Sequence, residues 1–337
     1  MESEVKHFEQ PYALIFEYPW PDLVNPHFDQ MKEDLESWLD TDFTFLSAKT
    51  RESYKRMGLH GATARMLAIA PTYEHASACN RFMIWITTFD DYCGLCTVEE
   101  VDDIHKRIMG ILKGNQPLPD AHPHDKIMAQ IRDEYLSVTS PEWLETFTFF
   151  MDRYIKYGMR AEAPYKTTGT FPPRNYYMIF REYSIAMYTY EPWAELGLGF
   201  VLPKEISAHP VIQRIQALTC RIMSWQNDVY SLKKEIARKG EVINLVLIIQ
   251  HEENISLEEA TQKVVSIHNE DVAEFVALHE NLPDFGDWDD RVYQYILYQG
   301  MMIQGLNTWY IKDTLRYHSS DQYAEKEYTR LNDKNKS

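Results

Sequence analysis

What this chain lacks already narrows its chemistry. Basic residues are scarce beside acidic ones: 34 Lys and Arg stand against 51 Asp and Glu, a formal net charge of −17. That balance argues against a general affinity for nucleic acid or for anionic membrane surfaces. An anionic ligand would need counter-charge supplied locally, by a metal or by a few placed Arg and Lys. Cysteine is sparse, with only Cys79, Cys93, Cys96 and Cys220 in 337 residues. Such usage excludes a disulfide scaffold and suits a reducing compartment. With 13 Gly and 16 Pro, the composition is neither collagen-like nor low-complexity. The opening Met-Glu-Ser-Glu-Val-Lys-His has neither the basic start nor the apolar stretch of a secretory signal. An unbroken apolar run such as Leu245–Ile249 is far short of the ~20 residues that span a bilayer. The expectation is a cytoplasmic protein without a membrane or nucleic-acid partner.

Strict alternation of apolar and polar residues, the mark of a half-buried strand, is almost absent, and helical periodicity takes its place. From Pro71 to Asp91 no Gly or Pro interrupts the chain, and Cys79, Met83, Ile86 and Asp90 recur at helical spacing. The same pattern predicts helices over Leu144–Met159, Tyr176–Tyr190, Val211–Lys239, Leu257–Leu278 and Arg291–Tyr317. Breakers fall mostly between them, as in Gly114-Asn-Gln-Pro-Leu-Pro and Pro172-Pro173. No repeat and no Gly/Ser linker divides the sequence. It reads as one all-α domain over residues 1–318, followed by a polar tail over 319–337.

Four constellations carry chemistry. In Trp225-Gln-Asn-Asp-Val-Tyr-Ser-Leu-Lys-Lys-Glu235, Asn227, Ser231 and Glu235 stand at i, i+4 and i+8, along one helical face. An amide oxygen, a hydroxyl and a carboxylate suit a hard cation such as Mg²⁺, and Lys233 and Lys234 lie next to the last of them. The rest of this helix is largely apolar, so its polar stripe is expected to face a buried polar cavity. Asp90 and Asp91 in Phe89-Asp-Asp-Tyr92 place two carboxylates at a helix C-terminus, against the helix dipole; a divalent cation would offset that cost. Arg181 shares a face with Tyr177, Ser184 and Tyr188. A guanidinium there needs a partner, either a phosphate group or a protein carboxylate. Arg316-Tyr317, with Trp309 seven residues before Arg316 on nearly the same face, could close over an anion or cap a helix end. Aromatic residues are plentiful, 22 Tyr, 15 Phe and 8 Trp; most would pack a core, and some could line a cavity that stabilises a cation.

Taken together these segments resemble the class I terpene synthases of the microbial single-domain type. Asn227-Asp-Val-Tyr-Ser231-Leu-Lys-Lys-Glu235 matches that family's second metal motif, ND-x-x-S-x-x-x-E, in full. Asp90-Asp91 is similar to the start of its aspartate-rich first motif. Arg181 precedes Asn227 by 46 residues, a separation similar to that of the family's pyrophosphate-sensing Arg, and Arg316-Tyr317 resembles its terminal pair. Asn25-Pro-His27 followed by Trp38, and Asn244-Leu-Val after the metal helix, resemble the bacterial branch. Two departures stand out. The family's first motif usually carries another acid four residues after its first Asp, where this chain has Gly94. Around the family's helix break after the sensing Arg, this chain has Ser184, Ile185 and Ala186 without a Gly, which suggests a bulkier contact at the substrate's reacting end.

The resemblance implies a helical bundle around a central apolar pocket, with three Mg²⁺ ions and a diphosphate at its mouth. Asp90 and Asp91 would hold metal from one side, and Asn227, Ser231 and Glu235 from the facing helix. Arg181, Lys234, Arg316 and Tyr317 would donate to the diphosphate, while Arg181, Ser184 and Ile185 would act at the reacting end. Aromatic faces for the carbocation are sought among Phe82, Trp85, Phe89, Tyr177 and Trp309, with Phe89 and Trp309 first. The implied reaction is ionisation and cyclisation of a prenyl diphosphate, farnesyl diphosphate in preference to geranylgeranyl diphosphate, with room for a homodimer. Other classes are weaker. Cys93-Gly-Leu-Cys96 raises a dithiol redox protein, but it follows a long helix rather than a strand. Asp102-Asp-Ile-His105 lacks the paired Glu-x-x-His of a di-iron bundle, and no Gly-rich nucleotide motif is present. A chain-elongating prenyltransferase would carry a second aspartate-rich motif in place of Asn/Ser/Glu, and a non-catalytic helical interaction protein would leave the stripes incidental.

Overall fold

The computed structural model describes residues 16–237 and 241–315. Among them every regular element is helical. In chain order the helices are α1 (Phe28–Thr41), α2 (Ala48–Arg56), α3 (Leu59–Met66), α4 (Tyr73–Cys93), α5 (Val98–Leu112), α6 (Pro123–Val138) and α7 (Pro141–Arg153). They continue with α8 (Arg160–Thr168), α9 (Arg174–Ser184), α10 (Pro192–Leu198), α11 (Lys204–Ser207), α12 (Pro210–Ile236), α13 (Leu245–Glu253), α14 (Leu257–Glu280) and α15 (Asp289–Thr308). Two π-helical segments, Tyr154–Met159 and Trp309–Asp313, join α7 to α8 and extend α15. No helix among the described residues is long and apolar enough to cross a membrane.

Local chemistry accounts for many of these boundaries. Pro occupies the first turn of α6, α7, α10 and α12, where its missing N–H costs nothing. Thr97 with Glu100 and Ser256 with Glu259 form reciprocal caps that start α5 and α14. The predicted helices at 71–91, 211–239 and 257–278 coincide with α4, α12 and α14 within a few residues. Two long helices, α4 and α12, are buried over most of their surface: Trp85, Cys79, Ile222, Trp225 and Val229 are fully enclosed. α4 packs on α1, α3 and α6, and α12 on α9, α14 and α15. Each is therefore apolar on several sides. Some of its polar residues bond to neighbouring helices, as Asn80 and Arg81 do on α4 and Arg221 on α12, while Asp90 and Asp91 on α4 and Asn227, Lys234 and Glu235 on α12 line a cavity.

The predicted helix over 176–190 is broken. α9 stops at Ser184, Ala186 takes a left-handed conformation at φ 70°, and Met187–Tyr190 resume as a 3₁₀ turn. Periodicity does not mark this break, although the family resemblance places one at Ser184–Ala186; Ala pays a steric cost in that region that Gly would avoid. The cause is tertiary. Gly158, in the first π segment, lies so close to the end of α9 that a Cβ there would stand 2.7 Å from the Ser184 Cα and N. The new 3₁₀ turn is closed by Thr189, whose N–H and hydroxyl both donate to the Ala186 carbonyl, at 2.9 and 2.7 Å. The predicted last helix over 291–317 also ends early, since the chain is extended at Thr314. Arg316, Tyr317 and the polar tail lie outside the described residues.

Gly158→Ala should force α9 and the π segment apart and lower stability by about 1–3 kcal/mol, the usual range for overpacking. An unchanged urea midpoint would show that this close approach is not what fixes the break.

Candidate active site

A cavity opens between α3, α4, α8, α9, α12 and the second π segment. Its wall changes character along a single face of α4, from Met83 and Ile86 to Asp90. The apolar part also takes in Met66, Met187, Tyr190 and Leu306, all nearly inaccessible to solvent. The other end gathers Asp90, Asp91, Glu162, Lys166, Arg181, Asn227, Lys234, Glu235 and Glu241, and there Asp90, Asn227 and Glu235 are partly exposed. The result is a greasy chamber with a charged mouth.

Of the α12 row, Asn227 and Glu235 reach the cavity wall and Ser231 is buried behind it. Asn227 and Glu235 line the cavity; Asn227 accepts from the Arg181 guanidinium at 2.8 Å and donates to the Tyr310 hydroxyl at 2.8 Å. Glu235 accepts from Asn244 Nδ2 at 2.6 Å, which gives the Asn244-Leu-Val segment a role: it steadies the last carboxylate of the row. Ser231, between them, is 1% exposed and its Oγ has no hydrogen-bond partner. A buried hydroxyl left without a partner costs about 1–3 kcal/mol, a cost that a bound cation would remove. Across the cavity Asp90 receives a hydrogen bond from the Tyr154 hydroxyl at 3.3 Å, and Asp91 one from Tyr54. Burial pushes the Asp90 carboxyl above its usual range, an effect opposed by the Lys166 ammonium and strengthened by Glu162 and Asp91. Hard oxygen donors, one orphaned hydroxyl and one under-compensated carboxylate fit a magnesium site.

Arg181 resolves the alternative left open by its sequence context. Its Nη2 lies 2.8 Å from Asp228 Oδ1, and its Nη1 is 3.9 Å from Glu162 Oε1. Asp228 also accepts from the Tyr177 hydroxyl at 2.7 Å and from the Leu245 N–H at 2.9 Å. Burial opposes the guanidinium charge, and Tyr177, Asp228 and Glu162 outweigh it, so Arg181 stays protonated. The protein carboxylate is the partner, while the Arg181 side chain also lines the cavity. Lys234 lines it too, as do Ser184, Ile185 and Trp309; Lys233 does not.

Several expected residues are placed elsewhere. Phe89 is not on the cavity wall: its ring stacks on Trp85 at 4.3 Å, and Phe82 joins the same buried aromatic cluster. On a helix buried on several sides, apolar spacing does not say which side faces the chamber. Tyr177 supports Asp228 and likewise lies off the wall. The aromatic wall is made by Tyr154, Tyr190, Trp309 and Tyr310, of which spacing singled out Trp309 alone. Glu162 and Lys166 were also missed, although their i, i+4 spacing with opposite charge was a visible signal. Cys93 and Cys96 are both buried and neither is in a disulfide; burial pushes the Cys93 thiol up, the opposite of a reactive redox cysteine.

The chain is similar to known proteins over most of its length. Residues 81–274 match the family model described as terpene synthase family 2, C-terminal metal binding. Germacrene A synthase of Nostoc punctiforme is 25% identical over 321 residues, covering 92% of this chain and 96% of the relative. A (+)-T-muurolol synthase of Roseiflexus castenholzii, named as cyclising (2E,6E)-farnesyl diphosphate, is 28% identical, covering 82% and 85%. Among solved structures, 2-methylisoborneol synthase of Streptomyces coelicolor, in complex with Mg²⁺ and 2-fluoroneryl diphosphate, superposes with a TM-score of 0.77 at 19% identity, covering 91% and 97%.

Asp228→Asn should leave Arg181 buried without a full counter-charge and cost about 3 kcal/mol or more of stability. A variant as resistant to urea as the parent would remove Asp228 from this structural role.

Proposed function

This chain belongs to terpene synthase family 2 and is a class I terpene synthase, and we propose that it converts farnesyl diphosphate into a cyclic sesquiterpene. The observation that carries this reading is the cavity whose wall passes from apolar side chains to two facing sets of oxygen donors, Asp90 and Asp91 on α4 and Asn227 and Glu235 on α12. The farnesyl chain length is supported by relatives of similar length, one of them named for that substrate.

Asp90 and Asp91 from one side, and Asn227, Ser231 and Glu235 from the other, would hold Mg²⁺, with three ions as the working number. Bound there, magnesium supplies Lewis-acid stabilisation of the charge that grows on the departing diphosphate oxygens. The chain's own cations contribute to the same stabilisation, since Arg181 and Lys234 donate to the diphosphate, joined in this reading by Arg316 and Tyr317. The allylic carbon–oxygen bond breaks with its electron pair leaving on the diphosphate. Ser184, Ile185 and Ala186, at the break after α9, line the wall one turn beyond Arg181. They are therefore placed to meet the substrate's reacting end.

The cation left behind must be kept from water and folded. Met66, Met83, Ile86, Met187 and Leu306 exclude water and shape the chain. The rings of Tyr154, Tyr190, Trp309 and Tyr310 offer faces worth ~0.5–2 kcal/mol each to a desolvated cation. Trp309 is held in place by its indole N–H, which donates to the Gly58 carbonyl at 2.8 Å.

Incubation with the C10, C15 and C20 diphosphates plus Mg²⁺ should release inorganic diphosphate and a cyclic hydrocarbon or alcohol from the C15 substrate. Excess EDTA, Asn227→Leu or Glu235→Ala should each abolish turnover while the helical circular dichroism persists. Turnover surviving in EDTA would refute the scheme. Trp309→Phe should shift the product ratio seen by gas chromatography–mass spectrometry; an unaltered ratio and rate would remove Trp309 from the cation-stabilising wall.

A further inference from the structure

The charged mouth contains one cation that no motif accounts for. Lys166 lies on α8, its side chain about one quarter exposed, and lines the cavity. Its Nζ is 2.5 Å from Glu162 Oε2. Glu162 is itself 2% exposed, and its other oxygen is 3.9 Å from Arg181 Nη1. One buried carboxylate thus bonds Lys166 and lies within ion-pair distance of Arg181, and both cations line the same cavity. Burial opposes the Lys166 charge, but Glu162 and Asp90 outweigh it and keep the ammonium protonated.

The corner that Lys166 fills is the one left open by the departure in the first metal motif. A Cβ on Gly94 would stand 3.7 Å from Lys166 Nζ and 3.4 Å from the Asp90 carbonyl oxygen. An acidic side chain at position 94 would therefore meet the ammonium directly and pair with it. With glycine there, Lys166 is bonded to Glu162, feels the carboxylates of Asp90 and Glu241, and lines the cavity.

We propose that Lys166 is a further cationic donor to the substrate's diphosphate, presented by Glu162 beside Arg181 in the corner that Gly94 leaves free. The inference rests on the prenyl diphosphate reading and adds a residue to it. An ammonium carries three N–H donors, so Lys166 keeps its bond to Glu162 while donating to a phosphate oxygen. Glu162 is a positioning residue: it bonds the Lys166 ammonium and keeps it at the cavity wall near Arg181. No bond is made or broken by either residue; they bind and orient the leaving group.

The test measures binding of inorganic diphosphate with saturating Mg²⁺ by calorimetry, and kcat and KM with farnesyl diphosphate. Lys166→Met is compared with the parent, and the double variant Lys166→Met/Glu162→Gln with Glu162→Gln alone. The second comparison keeps the experiment informative where Lys166→Met strands the Glu162 charge and fails to fold. Loss of one charge-assisted hydrogen bond should weaken diphosphate binding about tenfold or more in each comparison, and raise KM by a similar factor. Lys166→Arg should restore most of it. A double variant that binds diphosphate as tightly as Glu162→Gln would overturn the proposal and leave Lys166 as a neutraliser of Glu162. Release of diphosphate from farnesyl diphosphate by the unmodified enzyme tests the underlying reading separately. Equal binding by all variants with intact turnover sinks only the Lys166 role, and tight, Lys166-dependent diphosphate binding without turnover sinks only the substrate reading.

Discussion

A guanidinium shut away from water between two carboxylates is the constraint around which this molecule is arranged. Arg181 on α9 meets Asp228 on α12 at 2.8 Å and approaches Glu162 on α8. Desolvating such charges is costly and is tolerated only where the geometry is well satisfied. Tyr177 and the Leu245 N–H complete the shell of Asp228, so α8, α9, α12 and the start of α13 are tied at one point. That point lies at the edge of the cavity. The same interaction that holds the helices in register therefore sets the height at which positive charge is offered to a ligand.

The acidity of the chain and its preference for an anionic substrate are reconciled at this place. A protein of net charge −17 has no long-range attraction for a diphosphate. What it has is a short arc of placed cations, Lys166, Arg181 and Lys234, set among carboxylates and oxygen donors that suit magnesium. Because Arg181 and Lys234 are themselves largely buried, their charges are screened less by water and count for more. The same apolar wall that strengthens these interactions is what a reactive cation requires for its survival. Charge at the rim and dryness within are two consequences of one packing arrangement.

The break after α9 follows a similar logic. Ala186 in a left-handed conformation stores modest strain at the cavity wall, beside a close approach that the missing side chain of Gly158 permits. The surrounding helices over-determine that conformation, as strained functional segments require. Its effect is to bring four consecutive residues, Ser184, Ile185, Ala186 and Met187, to the cavity wall, which a continuous helix face would not do.

Much of this was legible in the residues and some of it was not. Periodicity and the absence of alternation specified an all-helical chain, and the one-face spacing of Asn227, Ser231 and Glu235 specified a row of oxygen donors, because a helix converts spacing directly into direction. The oppositely charged pair Glu162 and Lys166 was equally visible but carried no sign of what it faced. Which side of a helix buried all round turns to the cavity is decided by its neighbours, and so Phe89 went to the core while Tyr154, Tyr190 and Tyr310 joined Trp309 on the wall. The break at Ala186 comes from a contact 28 residues away along the chain, beyond the reach of any local propensity. Local sequence determined the elements and the stripes upon them; only packing between distant segments, where burial and charge pairing are settled jointly, decided which stripes meet.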